Sequence, residues 1–296
     1  MSDQFVKIVE VGPRDGLQNE KQNISKETRL EFIRLLSEAG LPEIEVGAFV
    51  SPKWVPQMAC SDEILQALGA AKNKLSSAPL YSVLVPNVKG LEMALAAGAE
   101  KVAVFTAASE TFSQKNTNCS IEDSLQRIQG ILDVLQNKDP EHKIKRRAYL
   151  STAFYCPYED KIAPEKVAAL VLELSQMGFE DISIGDTIGK AKPEDVAALL
   201  KLLRDEVPCE QIALHFHDTY GNALTNIKLG LEEGVRCFDS SAAGLGGCPY
   251  APGAPGNVAT EAVAKLCTDL GFETGVDLEK LGKAAMYIKD TLLINN

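Results

Sequence analysis

Short apolar segments alternate with amphipathic segments along the chain, and this alternation restricts the fold more than any other feature of the sequence. The apolar segments have the length of buried strands. The amphipathic segments carry apolar residues at helical spacing and begin or end at capping residues such as Ser25, Ser120 and Gly40. Eight strands are predicted, at residues 5–11, 43–46, 81–85, 101–105, 147–152, 181–184, 211–216 and 235–240.

Eight strand–helix pairs in 296 residues predict an α/β protein with a single (β/α)₈ TIM-barrel domain spanning residues 1–296. A helix at 278–293 follows the eighth pair and is predicted either to cap the barrel or to form a homodimer surface. The alternative is an open doubly wound sheet, which usually carries a glycine-rich dinucleotide turn after its first strand. Residues 12–16 read GPRDG, which is not that fingerprint, so the closed barrel is favoured.

Composition excludes several classes of partner. The net charge of −11 argues against nonspecific nucleic-acid binding, and no apolar run has the length of a membrane span. The densest basic run, residues 143–147, is interpreted as a solvated loop leading to a strand edge. No export signal is evident at the N-terminus, and the seven cysteines include no Cys-x-x-Cys pair, so a cytoplasmic protein with reduced thiols is expected.

Two of the three histidines fall on one face of the seventh predicted strand. Leu214 and Phe216 point to one side of this strand, and His215 and His217 point to the other, because side chains alternate with period two. Residues two apart on a strand lie roughly 6.5–7 Å apart, which lets two imidazoles converge on one metal ion. The alternative is a pair of hydrogen-bonded interior histidines.

Other polar residues fall at the carboxyl ends of predicted strands, where barrels hold their active sites. Arg14 and Asp15 follow the first strand, Glu45 lies within the second, and Asp186 follows the sixth. Singly, these could be turn residues, half of a buried ion pair, or an Asx turn. Together with the histidines they favour one shared site for Mg²⁺, Mn²⁺ or Zn²⁺, with Asp15 as the carboxylate ligand. Arginine beside a metal suits making or breaking a C–C bond next to a carbonyl.

Residues 243–257 alternate glycine and proline too densely for a helix or a strand. This segment follows the eighth strand and is predicted to be a mobile lid that brings the Cys248 thiol to the substrate as a proton donor or acceptor. A plain surface loop and a phosphate-cradling loop are the alternatives. Asn257 is predicted to be a helix N-cap, and its side-chain oxygen could also ligate a metal.

Four motifs, VGPRDGLQNE at 11–20, FVSPKWVPQM at 49–58, HFH at 215–217 and GLGGCPYAPG at 244–253, resemble the 3-hydroxy-3-methylglutaryl-CoA lyase family over essentially the whole chain. The resemblance implies a metal-dependent TIM-barrel lyase that cleaves its CoA thioester to acetyl-CoA and acetoacetate, in leucine degradation and ketone-body formation. It implies Mg²⁺ or Mn²⁺ as the cofactor, and Arg14 as the group that stabilises the enolate. By match to the family motifs, the metal ligands are Asp15, His215, His217 and Asn257, the substrate contacts are Arg14, Gln18, Asp186 and Thr187, and the further catalytic residues are Glu45 and Cys248.

The residues leave two matters open. The general base can be Asp15, His215, His217 or Cys248. The chain also departs from the family pattern at Ala48 and Pro255, which leaves room for a related 3-hydroxy-3-alkylglutaryl-CoA substrate. The rival functions are another lyase or synthase of the same metal-barrel group, such as a 4-hydroxy-2-oxoacid aldolase, and a non-catalytic barrel that binds a CoA ester. A local basic patch is expected for the CoA phosphates, with Lys21 and Lys53 as candidates.

Overall fold

Eight parallel strands close into a barrel in the computed structural model, which describes residues 4–72, 78–246 and 256–294. The order around the barrel is β1, β2, β3, β4, β5, β8, β9 and β10, and β10 pairs back with β1. The predicted closed barrel is therefore confirmed, and the open sheet is excluded. The strands are β1 Lys7–Glu10, β2 Glu43–Ala48, β3 Leu80–Leu84, β4 Lys101–Ala107, β5 Lys145–Ser151, β6 Tyr155–Cys156, β7 Asp160–Lys161, β8 Asp181–Asp186, β9 Ile212–Phe216 and β10 Cys237–Ser240.

Helices surround the barrel, and two of them begin at the capping residues Ser25 and Ser120 that the sequence indicates. The Ser25 hydroxyl accepts a hydrogen bond from the Thr28 N–H at 3.1 Å, and Ser120 and Asp123 form the predicted capping box. The helices are α1 Lys26–Glu38, α2 Ser61–Lys72, α3 Val88–Ala96, α4 Glu110–Thr117, α5 Ile121–Lys138, α6 Pro164–Gln176, α7 Pro193–Leu203, α8 Ala223–Glu232, α9 Thr260–Asp269 and α10 Leu278–Ile294.

Two elements go beyond the predicted pattern. The segment 107–119, which connects two predicted elements, contains α4, and the Ser109 hydroxyl before this helix accepts the Phe112 N–H at 3.0 Å. The strands β6 and β7 form a small antiparallel hairpin outside the barrel. Neither element has enough apolar residues to produce a periodic pattern, which is why the sequence did not indicate them.

Apolar side chains between the strands and the helices form one connected buried cluster. The extra helix α10 packs against α1. Across the described ranges, no helix has the length and apolar character needed to span a membrane.

The interior of the barrel is ionic, unlike the layer outside it. At the amino ends of the strands, the Lys101 ammonium lies 2.9 Å from Glu43 and 2.6 Å from Asp181. Arg147 follows one layer higher and donates to Asp181 at 2.8 Å and to Asp239. The prediction that the basic run 143–147 is solvated is wrong for Arg147, because strand alternation turns this side chain into the barrel, where it is 0 % exposed.

Replacing Lys101 by methionine should lower the free energy of unfolding by about 3–5 kcal/mol, because it leaves the buried carboxylates of Glu43, Asp181 and Asp239 with two cations, Lys7 and Arg147, in place of three. Urea denaturation followed by circular dichroism measures this loss. The matched control is Lys265→Met, which removes an exposed pair with Asp269 on α9 and should cost about 0–1 kcal/mol. Equal small losses in both variants would show that the interior ion pairs do not stabilise the barrel.

Candidate metal centre and substrate cavity

Three predicted metal ligands come together at the carboxyl end of the barrel. One ligand atom each from Asp15, His215 and His217 lies within 4.8 Å of the others, and the two imidazole centroids are 5.4 Å apart. The strand β9 carries His215 and leads directly into His217, and Leu214 and Phe216 are buried on the opposite face as the alternation requires. A carboxylate and two imidazoles at this separation are a donor set that fits one divalent cation.

Asn257 is held beside this cluster by backbone pairing. It forms an antiparallel bridge with His217, and its Nδ2 donates to Asp15 Oδ2 at 2.8 Å and to the Leu245 carbonyl at 3.1 Å. The predicted N-cap role is wrong, because α9 begins later, at Thr260, with Ala259 at the N-cap position. Asn257 therefore belongs to the cluster and not to the helix.

Two buried polar atoms at the cluster lack a hydrogen-bond partner within the described part of the chain, namely His217 Nδ1 and Asn257 Oδ1. Unpaired buried acceptors are costly, and both atom types are metal donors. Asn257 Nδ2 already contacts the Asp15 carboxylate, so the Asn257 side chain lies within reach of a cation bound by Asp15. The donor chemistry and the orphaned atoms both fit a bound divalent cation.

The electrostatics of the cluster keep Asp15 and His217 in the protonation states that bind a metal. Burial alone would raise the pKa of Asp15, but the Arg14 guanidinium and the two imidazoles outweigh it and lower that pKa to about 2. Burial, aided by neighbouring His215, lowers the pKa of His217 to about 4. At neutral pH, Asp15 is therefore a carboxylate and His217 is a neutral imidazole, the forms that bind a metal.

Arg14 lies beside the cluster in a fixed orientation. Its Nε donates to Glu45 Oε2 at 2.6 Å, its Nη1 donates to Asp15 Oδ1 at 2.7 Å, and the Tyr149 ring lies 5.2 Å from its guanidinium. Burial raises the pKa of Glu45, and the Arg14 charge opposes this shift. Glu45 thus holds Arg14 in place. The Nη2 group of Arg14 has no hydrogen-bond partner among the described residues.

The turn that carries Arg14 and Asp15 depends on two glycines and a buried acid. A Cβ on Gly12 would lie 2.5 Å from Glu10 Oε1, and a Cβ on Gly16 would lie 2.8 Å from the Leu245 side chain. Glu10 accepts the N–H groups of Gly12 and Ala242, at 2.8 and 2.9 Å, which fastens the turn after β1 to the turn after β10. Burial raises the pKa of Glu10 to about 7.

A cavity of about 600 Å³ opens at the cluster. Arg14, Gln18 and Thr187 line it, together with Asp15, His215 and His217.

Two other predicted site residues lie outside this lining. Glu45 sits behind Arg14, and the Asp186 carboxylate accepts the backbone N–H groups of Lys190 and Ala191, at 3.1 and 2.9 Å. Burial raises the pKa of Asp186 to about 7, against those two hydrogen bonds. A direct substrate contact by Asp186 stays a prediction, and the geometry shows Asp186 ordering the loop after β8.

The remaining predicted positions do not line the cavity in the described ranges. Cys248 and Pro255, with most of the predicted lid, lie outside the described residues. Ala48 is packed in the core at 1 % exposure. Lys21 and Lys53 are exposed and are not part of the cavity wall.

The sequence did not single out Glu10, Tyr149, Arg147 or Asp239, although all four are buried close to the site or in contact with its residues. One signal was available. Glu10 and Tyr149 are polar residues inside apolar strand patterns, which is the same signal that identified Glu45, whereas Arg147 follows two basic residues and carried no such signal.

Replacing His217 by alanine should weaken Mn²⁺ binding more than about 100-fold, because it removes a direct metal donor. Loss of a residue that only supports a ligand typically weakens binding by about 10–100-fold. Electron paramagnetic resonance of free Mn²⁺ during titration gives the Kd. The control is His142→Ala, since His142 is exposed and contacts Arg146, away from the cluster. Unchanged affinity in the His217 variant would place the metal elsewhere.

Comparison with known proteins agrees with this geometry. Residues 5–288 match the family model described as HMGL-like. The chain is 51 % identical over 287 residues to the mitochondrial hydroxymethylglutaryl-CoA lyase of Pongo abelii, covering 97 % of this chain and 86 % of that protein. It is 50 % identical to a Pseudomonas aeruginosa protein named 3-hydroxy-3-isohexenylglutaryl-CoA/hydroxy-methylglutaryl-CoA lyase, covering 96 % and 91 % of the two chains.

Solved structures give the same result. The hydroxymethylglutaryl-CoA lyase of Pseudomonas aeruginosa superposes with a TM-score of 0.91 at 49 % identity, covering 98 % of this chain and 93 % of that chain. An HMG-CoA lyase from Acinetobacter baumannii, solved in complex with coenzyme A and 3-methylmalate, superposes with a TM-score of 0.89 at 33 % identity, covering 99 % and 92 %. The chain is therefore a member of the HMGL-like family.

Proposed function

We propose that this protein is a carbon–carbon lyase that cleaves 3-hydroxy-3-methylglutaryl-CoA to acetyl-CoA and acetoacetate. The observation that carries the proposal is the convergence of Asp15, His215 and His217 beside Arg14 in one cavity. Relatives of about half-identical sequence are named for this activity. A non-catalytic CoA-ester barrel would not need this set of residues.

Asp15, His215, His217 and Asn257 would hold the divalent cation, Mg²⁺ or Mn²⁺. When bound, the cation supplies Lewis-acid polarisation of the substrate oxygens. Asp15 also contacts Arg14, so the ligand set and the guanidinium share one fixed carboxylate. This shared contact fixes the position of the arginine relative to the ligand set.

Arg14 has the position and chemistry to stabilise the enolate. In a retro-Claisen cleavage the C3 hydroxyl loses its proton, the C2–C3 bond breaks, and its electron pair forms the enolate of acetyl-CoA while C3 becomes the ketone of acetoacetate. The enolate carbon then takes a proton. The Nη2 group of Arg14 is free to donate to the enolate oxygen, and Glu45 and Asp15 prevent the guanidinium from turning away.

The pKa values narrow the choice of base. Asp15, with a pKa of about 2, and His217, with a pKa of about 4, are weak bases at neutral pH and suit ligand roles. Burial would lower the pKa of His215, but its hydrogen bond to Asp239 and the nearby carboxylates raise it. His215 and Cys248 remain the candidates from the sequence, and His215 could accept a proton only while its Nε2 is not bound to the cation.

A broader substrate range is the second candidate function. The Pseudomonas aeruginosa relative is named for both a methyl and an isohexenyl substrate. The cavity, at about 600 Å³, has apolar wall residues that include Leu84, Phe105 and Phe112. A longer 3-alkyl group would be accommodated against such a wall, and an apolar pocket discriminates by only about 1–3 kcal/mol per methylene.

Two other expectations stay predictions. The cytoplasmic location rests on the sequence alone, and the curated relatives include proteins named as mitochondrial. A homodimer is likewise untested, and α10 is the surface that the sequence suggests for it.

The purified protein should release acetoacetate from 3-hydroxy-3-methylglutaryl-CoA with Mg²⁺ or Mn²⁺, and EDTA should abolish the release. A coupled assay for acetoacetate measures it. Release that persists after complete metal removal would contradict the role of the cation. Cleavage of a 3-alkyl homologue without cleavage of the methyl substrate would favour the second candidate function.

Replacing Arg14 by alanine should lower kcat by about 10²–10³-fold, because an oriented donor to the developing enolate is lost. Mn²⁺ affinity, measured separately, should be largely retained, since Arg14 is not a ligand. The matched control is Arg34→Ala on α1, which removes an exposed arginine paired with Glu31 and should leave kcat unchanged. An Arg14 variant with normal kcat would remove this arginine from the mechanism.

A further inference from the structure

Asp239 is a buried carboxylate that contacts a predicted metal ligand without being one. It lies on β10, its side chain is 0 % exposed, and its Oδ2 is 3.2 Å from His215 Nδ1. The strand register places it directly beside His215, because β10 pairs Asp239 with His215 on β9. The contact is therefore fixed by the barrel and does not depend on a loop.

The other contacts of Asp239 are also donors. Arg147 Nη2 donates to Oδ1, and the Ser183 hydroxyl donates to Oδ2 at 2.6 Å. Arg147 is in turn held by Asp181 at 2.8 Å from the layer below. A carboxylate surrounded in this way is an acceptor, so the nitrogen of His215 that faces it must carry the hydrogen.

This arrangement determines the tautomer of His215. With the hydrogen on Nδ1, the lone pair of the neutral ring lies on Nε2, the other nitrogen. Histidines that bind metals commonly donate their second ring N–H to a carboxylate, which fixes the ring and raises its basicity as a ligand. In His217, by contrast, Nδ1 is the nitrogen that has no hydrogen-bond partner within the described ranges.

We propose that Asp239 is the positioning residue of the metal site: it accepts the Nδ1–H of His215 and thereby presents Nε2 to the divalent cation. Arg147 and Ser183 hold the carboxylate in place for this contact. The inference rests on the proposed function only in requiring that the cluster binds a divalent cation. It concerns ligand orientation, so it is tested without substrate.

The first test is the Kd for Mn²⁺ of the full-length chain, measured by electron paramagnetic resonance. Asp239→Asn, which keeps the shape and removes the charge, should raise the Kd by about 10–100-fold. Ser183→Ala removes one hydrogen bond from the carboxylate and should raise the Kd less. If Asp239→Asn does not fold, Ser183→Ala still decides, because an unchanged Kd in that folded variant would overturn the proposal.

The matched control is Asp181→Asn. It removes another buried carboxylate from the same arginine but does not contact His215. It should lower the free energy of unfolding and leave the Kd for Mn²⁺ unchanged. If Asp181→Asn and Asp239→Asn weaken Mn²⁺ binding equally, the loss would come from a general disturbance of the ionic interior and not from the contact with His215. That result would overturn the proposal.

The second test reads the tautomer directly. The chain has three histidines, so ¹⁵N-histidine labelling gives a simple long-range ¹H–¹⁵N spectrum of the Mg²⁺-loaded protein, with His142→Gln assigning the exposed ring. His215 should carry its hydrogen on Nδ1, and Asp239→Asn should weaken this preference. An Nε2–H tautomer of His215 in the unmodified protein would overturn the proposal.

The outcomes separate this proposal from the proposed function. If the chain does not cleave 3-hydroxy-3-methylglutaryl-CoA but Asp239→Asn weakens Mn²⁺ binding, the activity is wrong and the positioning role stands. If the chain is an active lyase and Asp239→Asn binds Mn²⁺ normally, the proposed activity stands and the positioning role is wrong. Absence of Mn²⁺ binding by the unmodified protein would overturn both.

Discussion

The ion pair between Arg147 and its two carboxylates, Asp181 and Asp239, is the interaction on which the rest of the barrel interior depends. An arginine that is 0 % exposed has no water to solvate it, so the surrounding strands must supply its acceptors. Those acceptors come from β8 and β10, and the pairing therefore fixes three strands relative to one another. Lys101 below contacts Asp181, and His215 above contacts Asp239.

The charged interior connects the structural end of the barrel to its chemical end. At the amino ends of the strands the charges only pair with each other, and burial makes each pair costly to break. At the carboxyl ends the same alternation brings His215 and Asp15 to a cavity, where an added cation completes the set. The ring of Tyr149 contacts both guanidiniums, with its centroid 5.2 Å from Arg14 and 5.0 Å from Arg147, so one aromatic ring helps to position both arginines.

Membership in the HMGL-like family and the local geometry support the same chemistry by different routes. The relatives supply the name of a reaction, and the structure supplies a reason why these residues can perform it. A low pKa keeps Asp15 charged, and a low pKa keeps His217 neutral. Two carboxylates hold Arg14 and leave its Nη2 group available to donate. Each of these properties follows from burial combined with a specific neighbour.

The sequence by itself determined the fold class and much of the candidate site. Period-two alternation was enough to put His215 and His217 on one face, and strand counting was enough to close the barrel. The two glycines around Arg14 and Asp15 belong to the motif that first identified this turn. These features are local, since they depend on spacing along one strand or one turn.

Only the tertiary structure decided which buried groups meet. Asp239 and His215 are 24 residues apart, and Asn257 lies 242 residues from Asp15, so no local pattern could pair them. Arg147 looked like part of a solvated basic run, and Asn257 looked like a helix cap, because residue type and position favour those roles in isolation. The structure contradicts both expectations, since the register of the barrel strands sets which side chains share the interior and which carboxylate each cation contacts.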